Sequence, residues 1–175
     1  MSTFNKYDSK GAFHYGWYET EDWYRWLVDR CVNFCKGSTL DVGCGDGVLA
    51  NKIAEKGRRA VGIDNNQSAL HLARQHGNAV FQDSDIHHRL DGVWDYLASV
   101  NVIEHLDRPE AIKDLINNNV TKGAIITTID YQGGALGEDH RFEWTYDQMM
   151  DFFKEFNPKG FRYKDTEWIG VEIRK

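Results

Sequence analysis

The sequence contains few cysteines and no long apolar run, and both absences narrow the class of protein. No stretch approaches the roughly 20 apolar residues that a membrane-spanning helix needs, and residues 1–18 lack the apolar segment of a secretory signal. The three cysteines, Cys31, Cys35 and Cys44, lack paired C-x-x-C spacing, and their odd number argues against a disulfide framework. We therefore expect a protein of the reducing cytoplasm, without a membrane partner.

Proline is also scarce, and acidic residues outnumber basic ones. Two prolines, no Gly/Ser-rich linker and no internal repeat in 175 residues leave no evident boundary between domains. We expect one domain over residues 1–175, with residues 1–37 as an N-terminal helical flap. A formal net charge of −6 argues against a non-specific nucleic-acid binder, which uses lysine and arginine to neutralise phosphates. A local basic patch remains compatible with this charge.

Short apolar strands alternate with amphipathic helices along most of the chain. This alternation predicts an α/β fold in which helices cover both faces of a mostly parallel sheet, and the tail, residues 162–174, predicts a closing antiparallel hairpin. Ligands of such sheets bind beyond the carboxyl ends of the strands. The strand patterns cover residues 38–41, 59–64, 79–82, 96–102 and 123–129, and the helix patterns cover residues 20–34, 48–55 and 66–75 and follow Pro109 and Thr145.

Residues 43–47, Gly-Cys-Gly-Asp-Gly, form a glycine-rich loop after the first predicted strand. Glycine lets backbone N–H groups approach a ligand without a Cβ in the way. A dinucleotide fingerprint, G-x-G-x-x-G, would need a glycine where Val48 stands, and no Gly-Lys-Ser/Thr of a Walker loop follows. The loop therefore suits a ligand without a pyrophosphate, and the alternative is a glycine-rich turn with no ligand.

Two acids accompany this loop. Asp64 ends the second predicted strand, roughly 20 residues further on, where a carboxylate would hold the two hydroxyls of a ribose. Asp41 stands just before the glycines and can orient the loop or hold a cationic amino-acid head. Together they favour a nucleoside with a charged amino-acid group over a dinucleotide.

Residues 40–47, Leu-Asp-Val-Gly-Cys-Gly-Asp-Gly, resemble motif I of the class I S-adenosylmethionine-dependent methyltransferases. Residues 61–64 and 81–85 are similar to the ribose and adenine motifs of that family, and residues 94–110 are similar to its fourth motif. The resemblance implies a Rossmann-like, seven-stranded sheet with a C-terminal antiparallel hairpin, S-adenosylmethionine (SAM) as cofactor and S-adenosylhomocysteine (SAH) as product. It implies cofactor contacts from Asp41, Gly43, Cys44, Gly45, Gly47, Asp64, Asn65, Asp83, Ser84, Asp85 and Asn101.

A second, narrower resemblance concerns residues 104–105 and 139–145. They are similar to the small-RNA 3′-terminal 2′-O-methyltransferases, which bind a divalent metal through a Glu-x-x-Glu-His cluster and a later histidine. Glu104, His105 and His140 match, but Asn101, a poorer and neutral ligand, replaces the first glutamate. The resemblance therefore leaves a divalent metal and an RNA partner open, while a site without metal is favoured.

Methyl transfer from a sulfonium is an in-line displacement. The protein orients the two reactants and supplies the electrostatic environment. A base is needed only when the acceptor is protonated at neutral pH. His105, His140 and the adjacent Glu104 are the candidate catalytic residues, because the unperturbed pKa of histidine is near 6.5. The alternatives are a turn-capping histidine at His105 and a solvated one at His140, which follows a loop containing Gly133, Gly134 and Gly137.

Aromatic residues crowd the N-terminal segment, where Trp17, Tyr18, Trp23 and Tyr24 form either a flap over the cofactor or part of the core. No Asn/Asp-Pro-Pro-Tyr sequence for base-amino methylation is present. We expect a methyltransferase with an unidentified, small-molecule acceptor. A metal-dependent RNA 2′-O-methyltransferase is the first alternative, and a non-catalytic SAM-binding module is the second. Neither the acceptor nor the oligomeric state follows from these residues.

Overall fold

The computed structural model describes residues 6–133, 139–164 and 166–175, and a seven-stranded sheet runs through their centre. The strand order is β3-β2-β1-β4-β5-β7-β6, with β1 to β5 parallel and the last two antiparallel. This arrangement confirms the predicted α/β class and the C-terminal hairpin. The strands are β1 Thr39–Val42, β2 Ala60–Asp64, β3 Val80–Asp83, β4 Trp94–Val100, β5 Val120–Ile129, β6 Lys159–Arg162 and β7 Trp168–Arg174.

Helices cover both faces of the sheet, and each face has its own hydrophobic core. Neighbouring residues of β5 show the division, because Ile125 packs in one core and Ile126 in the other, as side-chain alternation along a strand requires. β1 is buried along its whole length, as expected for a central parallel strand. The helices are α1 Lys6–Lys10, α2 Phe13–Thr20, α3 Asp22–Phe34, α4 Val48–Ala54, α5 Gln67–Ala73, α6 Glu110–Asn119 and α7 Tyr146–Phe152, with 3₁₀ turns at Ile103–His105 and Lys154–Phe156.

The N-terminal segment differs from the sequence prediction. Two helices, α1 and α2, precede α3, which begins at Asp22, and Thr20 ends α2, although the helix predicted over residues 20–34 would begin there. Helix α2 buries none of its residues and so offers no helical apolar pattern to recognise. Its first turn is instead held from outside, since the Asp46 carboxylate accepts the backbone N–H of His14 at 2.9 Å.

Three strands also start two or three residues earlier than predicted. Strands β4 and β5 start at Trp94 and Val120, two and three residues before the predicted starts, because these two residues pair with each other ahead of a register shift. Strand β6 starts at Lys159, ahead of the predicted hairpin, and pairs there with Glu172.

Among the described residues, no helix has the length and apolar character that crossing a bilayer requires.

Candidate functional site

A cavity of about 610 Å³ lies at the carboxyl ends of the parallel strands. Strands β1 and β4 are neighbours in the sheet. The chain adds β2 and β3 on the β1 side of this pair and β5 on the β4 side, so the strand order reverses between β1 and β4. This is the switch point at which open α/β sheets bind ligands. The cavity is lined by the glycine loop, the ends of β2 and β4, the residues after β3, helices α1 to α3, residues 139–141 and Trp168.

The glycine loop has a backbone that only glycine adopts without strain. Gly43, Gly45 and Gly47 have φ angles of 65°, 53° and 86°, in the left-handed region. A Cβ built on Gly43 would lie 2.5 Å from Cγ2 of Val102, and one on Gly47 would lie 2.7 Å from Phe81. Gly43, Cys44 and Gly45 line the cavity, whereas Gly47 precedes α4 and lies outside the lining.

The two predicted acids lie beneath and beside this loop. The buried Asp41 carboxylate accepts the N–H of Ala50 at 3.0 Å, in the first turn of α4, and burial raises its pKa to about 8. Asp64 accepts the N–H of Gly45 at 2.9 Å and that of Asn66 at 2.8 Å. Burial raises the pKa of Asp64, and these amide donors oppose the rise. Both acids line the cavity and also hold the loop in place.

The remaining residues expected to bind the cofactor divide into two groups. Asn65, Ser84, Asp85 and Asn101 line the cavity, the last with a left-handed backbone at φ 53°. Asp83 lies outside the lining and accepts a short hydrogen bond from the side chain of Gln67. The prediction of a cofactor contact at Asp83 therefore lacks support from its position at the edge strand.

Helices α1 and α2 form a roof over the glycine loop. Tyr7 is buried against Gly45, where an added Cβ would overlap its hydroxyl, and burial raises the pKa of this tyrosine. Besides the N–H of His14, Asp46 contacts Nδ1 of the same histidine at 3.1 Å. The sequence interpretation did not include Tyr7 or His14, because no local pattern links them to a loop more than 30 residues away.

Aromatic side chains from α2, α3 and β7 form a wall of the cavity. Trp17, Trp23 and Tyr24 line it together with Trp168, which begins β7. Trp23 and Trp168 stack with ring centroids 3.8 Å apart and an interplanar angle of 2°. Tyr18 instead donates to Asp29 at 2.8 Å and lies outside the lining. Trp168 was not predicted, because its place in the wall depends on the pairing of β7 with β5.

Glu104, His105 and His140 come together at the end of β4, and each lines the cavity. One ligand-capable atom from each of the three lies within 4.8 Å of the others. The rings of the two histidines meet edge to face, with centroids 4.9 Å apart. Residues separated by more than 30 positions in the sequence thus form one cluster.

The Glu104 carboxyl group is buried, with 2% of the residue exposed, and burial raises its pKa to about 7. Within the described residues, its Oε2 atom has no hydrogen-bond partner. A carboxylate oxygen left in this way beside two imidazoles is suited to a proton or a divalent cation. The donor set of two histidines and one carboxylate therefore fits a divalent metal chemically. The nearby Asn101 amide supplies no further charge.

Comparison with known proteins agrees with this architecture. A model of the family described as "Methyltransferase domain" matches residues 35–167. The ubiquinone biosynthesis O-methyltransferase of Acinetobacter baylyi is 29% identical over 166 residues, a match covering 85% of this chain and 69% of that protein. The corresponding protein of Chromobacterium violaceum is 30% identical over 94 residues, which cover 49% of this chain and only 40% of the relative.

The fold also matches solved structures. Magnesium protoporphyrin IX methyltransferase from Synechocystis, crystallised with SAH, superposes with a TM-score of 0.71 at 16% identity, over 98% of this chain and 96% of that one. Such low identity supports the fold alone. The family match, in contrast, covers most of the sequence. The chain therefore belongs to the methyltransferase domain family, and it has the fold of a methyltransferase crystallised with SAH.

Proposed function

We propose that this protein transfers a methyl group from SAM to a hydroxyl group of a small-molecule acceptor. The observation that carries the proposal is that the Glu104, His105 and His140 cluster lines the same cavity as the glycine loop and Asp64. A methyl donor held by the loop and a hydroxyl held by the cluster would share one enclosed space. Close approach of the two reactants is the main requirement of an in-line displacement.

The residues of the cofactor half fit SAM by their chemistry. The Asp64 carboxylate would accept hydrogen bonds from the ribose hydroxyls, and Asn65, Ser84 and Asp85 are placed to contact the nucleoside. Asp41 and the glycine loop would hold the amino-acid end, where a cationic amine also favours the ionised form of Asp41. When bound, SAM supplies the sulfonium methyl group, and all remaining steps belong to the residues of this chain.

A planar, hydroxylated acceptor fits the other half. Trp17, Trp23 and Trp168 present aromatic surface to the cavity, and such surface binds flat apolar molecules well. The names of the matched relatives, ubiquinone biosynthesis O-methyltransferases, support a hydroxyl as the methylated group. A volume of about 610 Å³ for both reactants suits a small acceptor better than a nucleic-acid chain.

In this proposal His140 takes the proton of the acceptor hydroxyl, and His105 and Glu104 complete the acceptor site. The acceptor oxygen forms a bond to the methyl carbon while the carbon–sulfur bond breaks, and the electron pair of that bond goes to sulfur. The proton lost from oxygen is held by the imidazole. Charge and atoms balance without an oxidant or reductant.

A metal-assisted version is the second candidate, and the buried, unpartnered Oε2 of Glu104 favours it. Glu104, His105 and His140 would hold a divalent cation, which would lower the pKa of a bound hydroxyl. The neutral Asn101 in place of a fourth, charged ligand predicts a weak site. Calorimetry with Mn²⁺, on wild type and His105→Ala, separates the versions, since only a real site gives binding that the substitution abolishes.

The test of the proposed function is SAH formation by the purified protein with SAM and a panel of small acceptors. The panel contains catechols and other phenols, matched amines and thiols, and a short RNA with a free 3′ end. We expect SAH with a phenolic acceptor and a loss of about 100-fold in His140→Ala, the lower end of what a general base contributes. Turnover of the RNA alone, or of amines alone, would contradict the proposal.

A further inference from the structure

Residues 139–143 dock onto the 3₁₀ turn that carries Glu104 and His105. The backbone N–H groups of Arg141 and Phe142 both donate to the carbonyl oxygen of Glu104, at 2.7 and 3.1 Å. The carbonyl of Asp139 lies 3.0 Å from Nδ1 of His105. The same short segment therefore fixes the turn and one of its two histidine rings.

The segment also contains a partner for the second ring. Nδ1 of His140 lies 3.0 Å from Oε1 of Glu143, and the two side chains are only 16% and 11% exposed. A carboxylate only accepts hydrogen bonds, so His140 must donate from Nδ1. The neutral imidazole then carries its lone pair on Nε2, the opposite edge of the ring.

We propose that Glu143 is the positioning residue of the acceptor site, holding His140 in the tautomer that carries its lone pair on Nε2. Without this partner, a neutral histidine favours the tautomer protonated on Nε2, which has no lone pair there for a hydroxyl proton. Glu143 acts through His140 and does not itself contact the reactants. This inference rests on the proposed function, in which His140 serves the acceptor hydroxyl.

Glu143 is partly buried and stands in a part of the chain that further contacts hold. Its charge reaches Glu104, whose pKa it helps to raise, so its carboxylate belongs to the same electrostatic cluster. The next residue, Trp144, is buried, and its carbonyl accepts the N–H of Tyr131. Thr145 then starts α7 with a capping box. The backbone on the C-terminal side of Glu143 is therefore held, and the carboxylate is presented at a defined place.

The test is the ring ¹⁵N spectrum of histidine-labelled protein at about pH 8.5, about two units above the pKa of an ordinary imidazole. His140→Gln identifies the His140 signals. We expect wild type to show Nδ1 protonated, and Glu143→Gln to show mostly Nε2 protonated, because the new amide can donate to Nδ1. Glu143→Asp keeps the carboxylate and should restore part of the original signal.

Glu155→Gln is the matched control, since it removes one negative charge from a partner of Lys113 in an ion pair outside the cavity lining. Its His140 signals should equal those of wild type. The proposal is overturned if wild type already has Nε2 protonated, or if Glu143→Gln leaves the tautomer unchanged. The wild-type spectrum alone can contradict the proposal, so the test still works if a variant fails to fold. Failure of wild type to bind SAH would instead contradict the proposed function.

Discussion

The two halves of the cavity are held together in different ways. In the cofactor half, backbone amides hold the two aspartates, those of Gly45 and Asn66 on Asp64 and that of Ala50 on Asp41. In the acceptor half, side chains from distant segments meet, as Trp23 does with Trp168 and His105 does with His140. The first half depends on backbone conformation encoded over a few residues, and the second depends on how the completed sheet brings loops together.

The buried acids show the same difference. Both oxygens of Asp64 accept backbone amides, whereas Oε2 of Glu104 has no partner within the described chain. An acid whose oxygens accept hydrogen bonds from a loop holds that loop in place. An acid with an oxygen that lacks a hydrogen-bond partner can still bind a proton, a cation or a substrate. We infer that the cofactor half is preformed and that the acceptor half is completed by what it binds.

The largest expected effect separates the two acids at the ends of β2 and β3. Asp64→Ala removes a carboxylate that lines the cavity, while Asp83→Ala removes one at the matching register position outside it. A hydrogen bond to a charged group contributes about 1.5–3 kcal/mol. Loss of the two hydrogen bonds proposed between Asp64 and the ribose hydroxyls should therefore weaken SAH binding roughly 1000-fold. Calorimetry should find Asp83→Ala within about twofold of wild type. Equal weakening in both variants would contradict the assignment of Asp64 to the ribose.

A pH experiment tests the buried acid beneath the glycine loop. The pKa of Asp41 rises from 3.8 to about 8 on folding. The folded state therefore holds this proton more tightly, and the associated stability is full below about pH 4 and is lost as the pH rises towards 8. Asp41→Asn lacks this loss and should gain on the order of 5 kcal/mol relative to wild type between about pH 4 and pH 8.

The measurement is the melting temperature of both proteins across this range, without ligand. A gain of about 5 kcal/mol corresponds to roughly 10–20 °C in a domain of this size. Parallel melting curves at all pH values would show that Asp41 is ionised at its usual pKa. The cofactor half would then be more hydrated than its burial indicates.

A pair of glycine substitutions tests whether space or backbone conformation limits the loop. Gly43 and Gly57 both have positive φ, at 65° and 72°, but only Gly43 has a neighbour where a Cβ would stand. Gly57→Ala should lose about 1 kcal/mol from the left-handed backbone alone. Gly43→Ala should lose about 2 kcal/mol more, from overlap with Val102. Chemical denaturation measures both, and equal losses would mean that the loop moves aside freely.

The difference between the halves also explains what the sequence could predict. The glycine loop, Asp64 and the alternation of strands and helices follow from local patterns, and the structure places them as expected. Helix α2 escaped prediction because its stabilising contact comes from Asp46 in another segment. Trp168 escaped because its role needs the antiparallel pairing of β5 and β7.

The histidine cluster lies between these cases. Motif resemblance indicated Glu104, His105 and His140 as candidate residues, but not that they would meet within 4.8 Å. Glu143 stands three residues after His140, so a local signal was present, yet this spacing is common among unrelated side chains. The contact between these two side chains becomes evident only once residues 139–143 are seen to pack on the turn that carries Glu104 and His105. Gly134 and Gly137, in the loop that precedes His140, lie outside the described residues.

The most direct test of the account is the choice between two adenosine ligands. The loop lacks the third glycine of a dinucleotide site and places an acid for the ribose, so it should bind SAH with a dissociation constant in the micromolar range. Calorimetry of the purified protein should therefore detect SAH and give no heat with NAD. Binding of NAD in place of SAH would contradict the central claim that this cavity holds a nucleoside without phosphates.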